Sequence, residues 1–256
     1  MSYLLQTKDL LWAWTDRTIR ARYQQSLLGG LWIVVQPLTM VLLFSIIFTF
    51  FVPVNTGAIP YPVFSYVGLI PWMLFANALS DMSESLVVNM GLITKIYFPR
   101  EILPLASLLA RLLDYFVAFS LLLLLMVWFG VPLFSPSWVW LPVILLVQIA
   151  LIIGIGLFLA AGNVFYRDVR SGLGLAIQLW FYASPIIYPV TVVPAALRPF
   201  YYLNPMAGVL DAYRNVLLYQ SWPNPFFYLS ALVAVVVLFT GYWFFKRVEF
   251  RIADMI

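Results

Sequence analysis

Six long apolar blocks constrain this chain more than any other feature of its sequence. They cover residues 31–52, 63–80, 105–129, 139–161, 173–188 and 226–245. An α-helix rises about 1.5 Å per residue, so it needs roughly 20 apolar residues to cross the hydrocarbon core of a bilayer. These blocks predict transmembrane helices, and Pro71 predicts a kink in the second of them. We therefore predict an all-α membrane protein with six transmembrane helices in a single domain, residues 1–256.

The composition excludes a soluble fold and most catalytic chemistry. Hydrophobic residues make up 64% of the chain and charged residues only 9%, whereas an average soluble domain is roughly 45–50% apolar and about 25% charged. The chain has no Cys and no His, which excludes disulfides, Cys/His metal sites and imidazole acid–base catalysis. It also lacks the GxxxxGK(S/T) motif that cradles phosphates. We expect a chain that is not an enzyme, binds no cofactor or metal, and takes any energy of ATP from another subunit.

Positively charged residues predict the orientation in the membrane. Lys and Arg near the ends of transmembrane helices are retained on the cytoplasmic side. They lie before the first span, between the second and third, after the fourth and after the last: Lys8, Arg17, Arg20, Arg22; Lys95, Arg100; Arg167, Arg170; Lys246, Arg247, Arg251. The connections 53–62 and 130–138 carry no charge. Both termini are therefore expected in the cytoplasm, and the net charge of +4 is assigned to these loops rather than to a nucleic-acid partner.

Residues 1–28 predict a helix that lies in the membrane interface. The apolar residues of this segment fall on one arc of a helix and the polar ones on the other: Leu4, Leu5, Leu11, Trp12 and Ile19 against Gln6, Arg17 and Arg20. A solvated tail is the alternative. The apolar block that follows is too long for a signal peptide and has no small-residue cleavage site, so we expect it to be retained as the first span.

Ionisable residues are scarce inside the predicted spans. Arg111 and Asp114 are the exceptions, one helical turn apart in the third span. A charge at the bilayer centre costs about 2.5–3.5 kcal/mol on insertion scales, so the pair is either a structural ion pair near the cytoplasmic end or part of a conduit or subunit contact. A membrane enzyme would need converging acids or bases, and its acidic candidates are Asp81, Glu84 and Glu101.

Two connections predict more than loops. Residues 81–101 alternate polar and apolar side chains, which favours a short cytoplasmic helix that docks on a partner, with a surface helix against lipid as the alternative. Residues 189–224 are rich in Pro yet apolar and aromatic. Asn204 is expected to cap a short helix that begins at Pro205. We interpret 189–224 as an external re-entrant pair, with an amphipathic helix on the outer surface as the alternative.

Several motifs follow one another in an order that resembles a known family. They are RYQQSLLGGLW at 22–32 followed by Gln36-Pro37, YVGLIPW at 66–72 with Phe75 and Asn77, the segment 95–104, NVFYRDV at 163–169, SPIIY at 184–188 and NPM at 204–206. Together they resemble the membrane subunits of ATP-binding-cassette exporters for O-antigen, capsular and teichoic-acid polysaccharides, over nearly the whole chain. The doubled Gly29-Gly30 departs from the single glycine expected there.

The resemblance implies partners and a location that the residues alone do not supply. It implies a homodimer in the bacterial cytoplasmic (inner) membrane, in contact with membrane lipids, and a separate cytoplasmic nucleotide-binding subunit that binds ATP and Mg²⁺. It also implies export of a lipid-linked polysaccharide, O-antigen first, with capsular polysaccharide, teichoic acid, or a lipid or drug as the alternative.

The resemblance also implies roles for particular residues. Coupling to the ATPase falls to Arg22, Lys95, Tyr97, Phe98, Pro99, Arg100 and Glu101, and an external gate to Asn204, Pro205, Asp211 and Arg214. Aromatic rings pack against the C–H faces of sugars, so a substrate path is expected to include Trp32, Trp72, Phe75, Tyr182 and Tyr188. Membrane-interface belts or core packing are the alternative for each of these rings.

Overall fold

The computed structural model describes residues 2–24, 26–93, 98–166 and 168–254. Lys95, Tyr97 and Arg167 lie outside these ranges, and among side chains those of 2–6 and 252–254 are not described either. The described part consists of helices and their connections, with no strand. The α-helices, in order, are α1 Ser2–Tyr23, α2 Trp32–Ile46, α3 Tyr61–Val88, α4 Met90–Ile93, α5 Ile102–Trp128, α6 Leu141–Phe165, α7 Asp168–Tyr182, α8 Arg198–Tyr201, α9 Pro205–Leu217 and α10 Phe227–Asp254.

Five helical segments of the described chain are long and apolar enough to cross a membrane. They are Gly29–Phe51, Tyr61–Val88, Ile102–Trp128, Pro136–Phe165 and Phe227–Arg251. The first continues α2 through a five-residue π-helical segment, Ile47–Phe51. The predicted all-α membrane fold is therefore confirmed at the level of five candidate spans.

The sixth predicted span, 173–188, is not confirmed as a full span. Its helix, α7, has 15 residues, begins at Asp168 and ends at Tyr182, which gives about 22 Å against a hydrocarbon core of about 30 Å. Pro185 explains the early end, because a proline disfavours helical backbone at the residue before it and has no N–H to donate. Residues 183–188 continue as turns and bends.

Helix α3 forms the centre of the molecule. It packs against α2, α5, α6, α7 and α9, and 78% of its most apolar window is buried. By contrast, only 11% of the corresponding window of α2 is buried, and Leu173 is the one buried residue that the structure gives α7. The apolar sides of α2 and α7 are thus left uncovered within one chain.

Helices α6 and α10 make the most extensive contact between any two helices in the described part. Gly154 and Gly241 lie at its centre, so close that a Cβ on either would meet the backbone of the other helix. Small residues allow helix backbones to approach in this way, which compensates for the lack of a hydrophobic driving force between helices in lipid.

The two predicted connections have helical structure of their own. Helix α3 runs on to Val88, beyond the predicted boundary at residue 80, and α4 follows within the predicted segment 81–101. The segment 189–224 contains the 3-10 turns Val190–Val192 and Ala195–Leu197, then α8 and α9. The predicted cap of α9 is confirmed, because the Asn204 side chain accepts a hydrogen bond from the Met206 N–H at 3.1 Å and Pro205 is the first helical residue.

Candidate functional site

An ion-pair network joins the end of α1 to α3 and α5. Arg22 donates to Asp81 at 2.6 Å and to Asp114 at 2.8 Å. Arg111 donates to both oxygens of Asp81, at 2.7 and 3.0 Å, and to Asp114 at 3.1 Å. The Tyr23 hydroxyl donates to the second Asp114 oxygen at 2.6 Å. Two cations thus alternate with two anions, and the four-residue network is neutral.

Partial burial makes this pairing necessary. The four charged side chains are 16–26% exposed, and a half-buried charge without a partner is strongly unfavourable. Burial, reinforced by the Asp114 carboxylate, raises the pKa of the Tyr23 phenol, so this group remains a donor. The network therefore fixes α1 against the bundle without leaving a net charge inside it.

The members of this network were predicted from the sequence, but not the contacts between them. Arg111 was paired with Asp114, Arg22 was assigned to coupling, and Asp81 was a candidate acid for an enzyme. The sequence signal that could have linked them is the distance of each charge from its helix end. At about 1.5 Å per residue, Asp81 lies about 11 Å from the end of α3 and Arg111 about 14 Å from the start of α5. Antiparallel neighbours at equal depth bring these charges together.

The predicted coupling segment packs on α1 from residue 98 onward. The Phe98 ring stacks on Trp14 of α1 with ring centroids 6.3 Å apart, and the Arg17 guanidinium lies 4.5 Å from the centroid of the same indole. Pro99 lies next in this segment and is half-buried. The predicted coupling residues Lys95 and Tyr97 lie outside the described residues. A displacement of Phe98 would thus act directly on α1.

The other predicted coupling residues contact the end of α10. Lys246 pairs with Glu101 at 2.7 Å and with Glu249 at 3.0 Å. The Arg100 guanidinium donates to the Glu249 carbonyl oxygen, and the Arg100 backbone N–H donates to the Glu249 carboxylate at 3.2 Å. From the sequence, Lys246 was assigned only to the orientation in the membrane and Glu249 was given no role, since nothing in their local pattern places α10 beside residue 100.

An open groove runs between α2, α3 and α7. Its volume is about 460 Å³, and Trp72 and Tyr182, both predicted for a substrate path, contribute to its wall. Three amides and two further aromatic rings also line it: Gln36, Asn77, Gln178, Phe44 and Phe181. The remaining lining is aliphatic apart from one glycine: Met40, Leu43, Leu69, Met73, Ala76, Ile177 and Gly174. The groove shares Gln36, Met73 and Asn77 with a smaller cavity of about 260 Å³ that is lined by Trp32 and reaches Arg22, Arg111 and Asp114. The two cavities therefore connect the ion-pair network with the middle of the bundle.

The other two predicted path residues lie elsewhere. Phe75 is 0% exposed and packs edge-on against Trp180 with centroids 5.0 Å apart. This burial agrees with the core-packing alternative for the Phe75 ring. Tyr188 lies beyond the end of α7, where its hydroxyl donates to the Tyr182 carbonyl at 3.0 Å and lies 3.1 Å from the Tyr201 hydroxyl.

Arg214 of α9 binds the backbone carbonyls that follow α7. Its guanidinium donates to the carbonyls of Pro185 at 2.5 Å, Ile186 at 2.6 Å and Tyr188 at 3.1 Å. It also lies 3.8 Å from the centroid of the Phe64 ring. Carbonyls after a helix end have no helical partner, so one cation satisfies three of them. Burial lowers the pKa of Arg214 to about 10, which leaves it protonated at neutral pH.

Gly68 makes room for this arrangement. A Cβ on Gly68 would lie 2.8 Å from an Arg214 nitrogen and 2.9 Å from the Ile186 carbonyl oxygen. Any larger side chain would therefore displace either the guanidinium or the backbone it binds. The glycine of the YVGLIPW motif thus has a packing role that its position in the sequence did not indicate.

Asn204 connects α7 to α9. Besides capping α9, its Oδ1 accepts from the Trp180 indole N–H at 2.8 Å, and its Nδ2 donates to the Ser184 hydroxyl at 3.0 Å. All the hydrogen-bonding groups of the side chain therefore serve the junction between the two helices. The predicted gate residues Asn204 and Arg214 thus converge on one segment, 183–188.

Asp211, the remaining predicted gate residue, faces a polar cleft between α9 and the connection from α2 to α3. Its Oδ2 accepts from the Tyr202 hydroxyl at 2.8 Å and from the Asn215 amide at 3.2 Å. Burial raises the pKa of Asp211. The cleft has a volume of about 480 Å³.

Comparison with known proteins gives both a family and named relatives. The family model described as ABC-2 type transporter matches residues 9–218. The O-antigen export system permease protein RfbA of Myxococcus xanthus is 31% identical over 256 residues, with 96% of each chain covered. RfbA of Klebsiella pneumoniae is 28% identical over 97% of this chain and 95% of that protein. The polysialic acid transport protein KpsM of Escherichia coli is 28% identical over 91% of each.

Proposed function

Since this chain belongs to the ABC-2 type transporter family, we propose that it is the permease subunit of an ATP-driven exporter of lipid-linked polysaccharide, with O-antigen as the substrate. The relatives that cover nearly its full length carry O-antigen export names. Capsular polysaccharide is the second candidate, favoured by the similarity to KpsM. Teichoic acid, or a lipid or drug, are further cargo for the same architecture.

The lining of the groove between α2, α3 and α7 is the observation that carries this proposal. Trp72, Phe44 and Phe181 offer ring faces to the C–H surfaces of sugars, and Gln36 and Gln178 offer amides to their hydroxyls. None of these five side chains is charged. Such a surface holds a saccharide without binding it tightly, as transport of a long polymer requires.

A homodimer would convert the open groove into a channel. The apolar sides of α2 and α7 lie next to the groove and are uncovered within one chain. A second copy related by a two-fold axis would present the same surface to them. In this arrangement α7 is the sixth crossing, shortened on the external side, and 189–224 re-enters from that side to form a gate. Both termini then lie in the cytoplasm of a bacterium, with the chain in its inner membrane.

ATP and Mg²⁺ are bound by a separate nucleotide-binding subunit. It would contact residues 81–101 and α1, where Phe98 and Trp14 stack. Arg100 and Glu101 are held from the other side by α10. A push on this segment would reach α1, α10 and, through Arg22, the ion-pair network.

Deletion of the gene tests the proposal. Polymer should accumulate on the cytoplasmic side and disappear from the cell surface, and the chain should co-purify with an ATP-binding-cassette ATPase. Complementation with Gln178→Leu should restore less surface polymer than the native chain, whereas Thr240→Ala on α10, away from the groove, should restore it fully. Normal surface polymer in a verified deletion strain contradicts the proposal. Altered lipid or drug handling with unchanged glycans would favour the other cargo.

A further inference from the structure

The polar cleft at the external end has the size and lining of a ligand site. It lies between the connection from α2 to α3 and the helix α9, and its volume of about 480 Å³ falls within the roughly 300–1,000 Å³ of small-molecule sites. Its polar lining includes Asn55, Arg198, Asp211, Arg214 and Asn215. Donors and acceptors of hydrogen bonds are thus present on several sides of one space.

One buried polar atom at this cleft lacks a partner. Arg214 is 2% exposed, and its two terminal nitrogens are used by the carbonyls after α7. Its Nε, within the described part of the chain, has no hydrogen-bond partner. An unsatisfied buried N–H is unfavourable by about 1–3 kcal/mol. This N–H is enclosed, so a ligand oxygen would reach it only after a shift of the guanidinium, whereas the other polar groups of the lining would contact a ligand directly.

The Asp211 carboxylate has acceptor capacity to spare. Both hydrogen bonds that the structure gives it end on Oδ2, from Tyr202 and Asn215. The second oxygen, Oδ1, is therefore available to a donor. A carboxylate that accepts and a guanidinium that donates, on one cleft, match a hydroxyl pair on a sugar, because each hydroxyl both donates and accepts.

The mixture of charges favours a neutral polyol over an anion. Arg198 and Arg214 would attract a phosphate or carboxylate, but Asp211 lies on the same cleft and would repel it. The amides of Asn55, Asn215 and Asn224 carry no charge and pair equally well with hydroxyls. A phenol ring, Tyr219, also contributes to the lining and offers a face to sugar C–H groups.

We propose that this cleft binds one saccharide unit of the exported polymer on the external side of the membrane. The inference rests on the proposed function and adds a second sugar site, outside the groove and lined mainly by the proposed gate region 189–224. Arg214 lines the cleft and also binds the backbone carbonyls of Pro185, Ile186 and Tyr188. A bound sugar would therefore contact the residue that holds residues 185–188 in place.

Binding of soluble sugar to the purified complex tests this inference. The subunit with its ATPase partner is placed in nanodiscs, and the probe is an oligosaccharide mixture released by mild acid from the same strain's surface polymer, with saturation-transfer NMR and titration calorimetry as readouts. Saturable binding is expected. Asn215→Ala and Asp211→Asn should each weaken it about tenfold, the effect of losing one hydrogen bond of about 1.4 kcal/mol.

Matched controls separate binding from folding. Gln220→Asn changes an external amide that is not part of the cleft and should bind like the native complex, and thermal melting of each variant reports on its fold. Inorganic phosphate is the probe for an anion site. Absence of saturable binding, native affinity in both cleft variants, or competition by phosphate at the sugar's own concentration overturns the inference.

The two proposals fail in different ways. If surface polymer depends on the chain but the oligosaccharides do not bind, only the cleft assignment is wrong. If surface polymer is normal in the deletion strain, the export function is wrong whatever the cleft binds.

Discussion

Replacing Asp114 with asparagine tests whether the ion-pair network holds α1 to the bundle. The native carboxylate accepts from Arg22 at 2.8 Å, from Arg111 at 3.1 Å and from Tyr23 at 2.6 Å. Asparagine has nearly the same shape, but it leaves two guanidinium groups facing the single carboxylate of Asp81. The network would then carry one uncompensated positive charge.

The magnitude follows from burial. Breaking a buried ion pair by removing one partner typically destabilises by about 3–5 kcal/mol. The network side chains are 16–26% exposed, and solvent screening favours the lower end, about 3 kcal/mol. For a chain of this size, about 2–4 °C of Tm per kcal/mol gives a fall of about 6–12 °C. Tryptophan fluorescence of the purified complex during heating measures it.

Two further variants make the experiment decisive. Asp16 pairs with Arg20 at 2.8 Å, but these side chains are 59% and 75% exposed, so Asp16→Asn is expected to leave Tm unchanged. The double variant Asp114→Asn/Arg111→Gln removes one charge of each sign and should recover part of the lost stability. The reasoning is refuted if Asp114→Asn melts within a degree or so of Asp16→Asn, or if the double variant is less stable by the sum of its single changes.

Three other predictions test packing, coupling and the cap. Gly68→Ala should destabilise by about 1–3 kcal/mol, because its Cβ meets Arg214, whereas Gly172→Ala, with open space around it, should not; melting of both variants decides. Phe98→Ala should uncouple the partner's ATPase activity from transport without loss of assembly, and unchanged substrate stimulation would refute its role. Asn204→Ala should cost about 1 kcal/mol or more, seen as faster proteolysis of the segment 183–204 than in native protein.

Hydropathy predicted the membrane class because it depends only on local composition. A run of apolar residues is expelled from water wherever it lies in the chain, so five candidate spans follow from 31–52, 63–80, 105–129, 139–161 and 226–245. The length of α7 depended instead on Ser184-Pro185, a local stop signal within an apolar block. Its effect was underestimated because apolarity continues to Tyr188.

The polar contacts were less predictable because they join distant parts of the chain. Arg22 and Asp114 are separated by 92 residues in the sequence, and Arg100 and Glu249 by 149. No spacing rule operates over such distances. The sequence did show that charged residues are scarce in its apolar segments. Arg111, Asp114 and Arg214 lie in such surroundings, where a charge requires a partner. That reasoning selects the residues but not their partners, since partners depend on which helices are neighbours and at what depth.

Helix α3 connects the two polar clusters, and this arrangement has a testable consequence. Asp81 belongs to the ion-pair network. Gly68, about 20 Å away along the same axis at about 1.5 Å per residue, packs against the Arg214 guanidinium and the Ile186 backbone. Pro71 lies between Asp81 and Gly68 and removes one hydrogen bond, but α3 remains a continuous helix from Tyr61 to Val88, so we expect an axial displacement at Asp81 to be transmitted to Gly68. Asp114→Asn should therefore impair the response of transport to ATP hydrolysis while sugar affinity at the proposed cleft site stays unchanged, because the cleft residues do not contact the network. Equal losses of ATP-driven transport and of sugar affinity would show that the variant disrupts the whole bundle rather than its connection to α1.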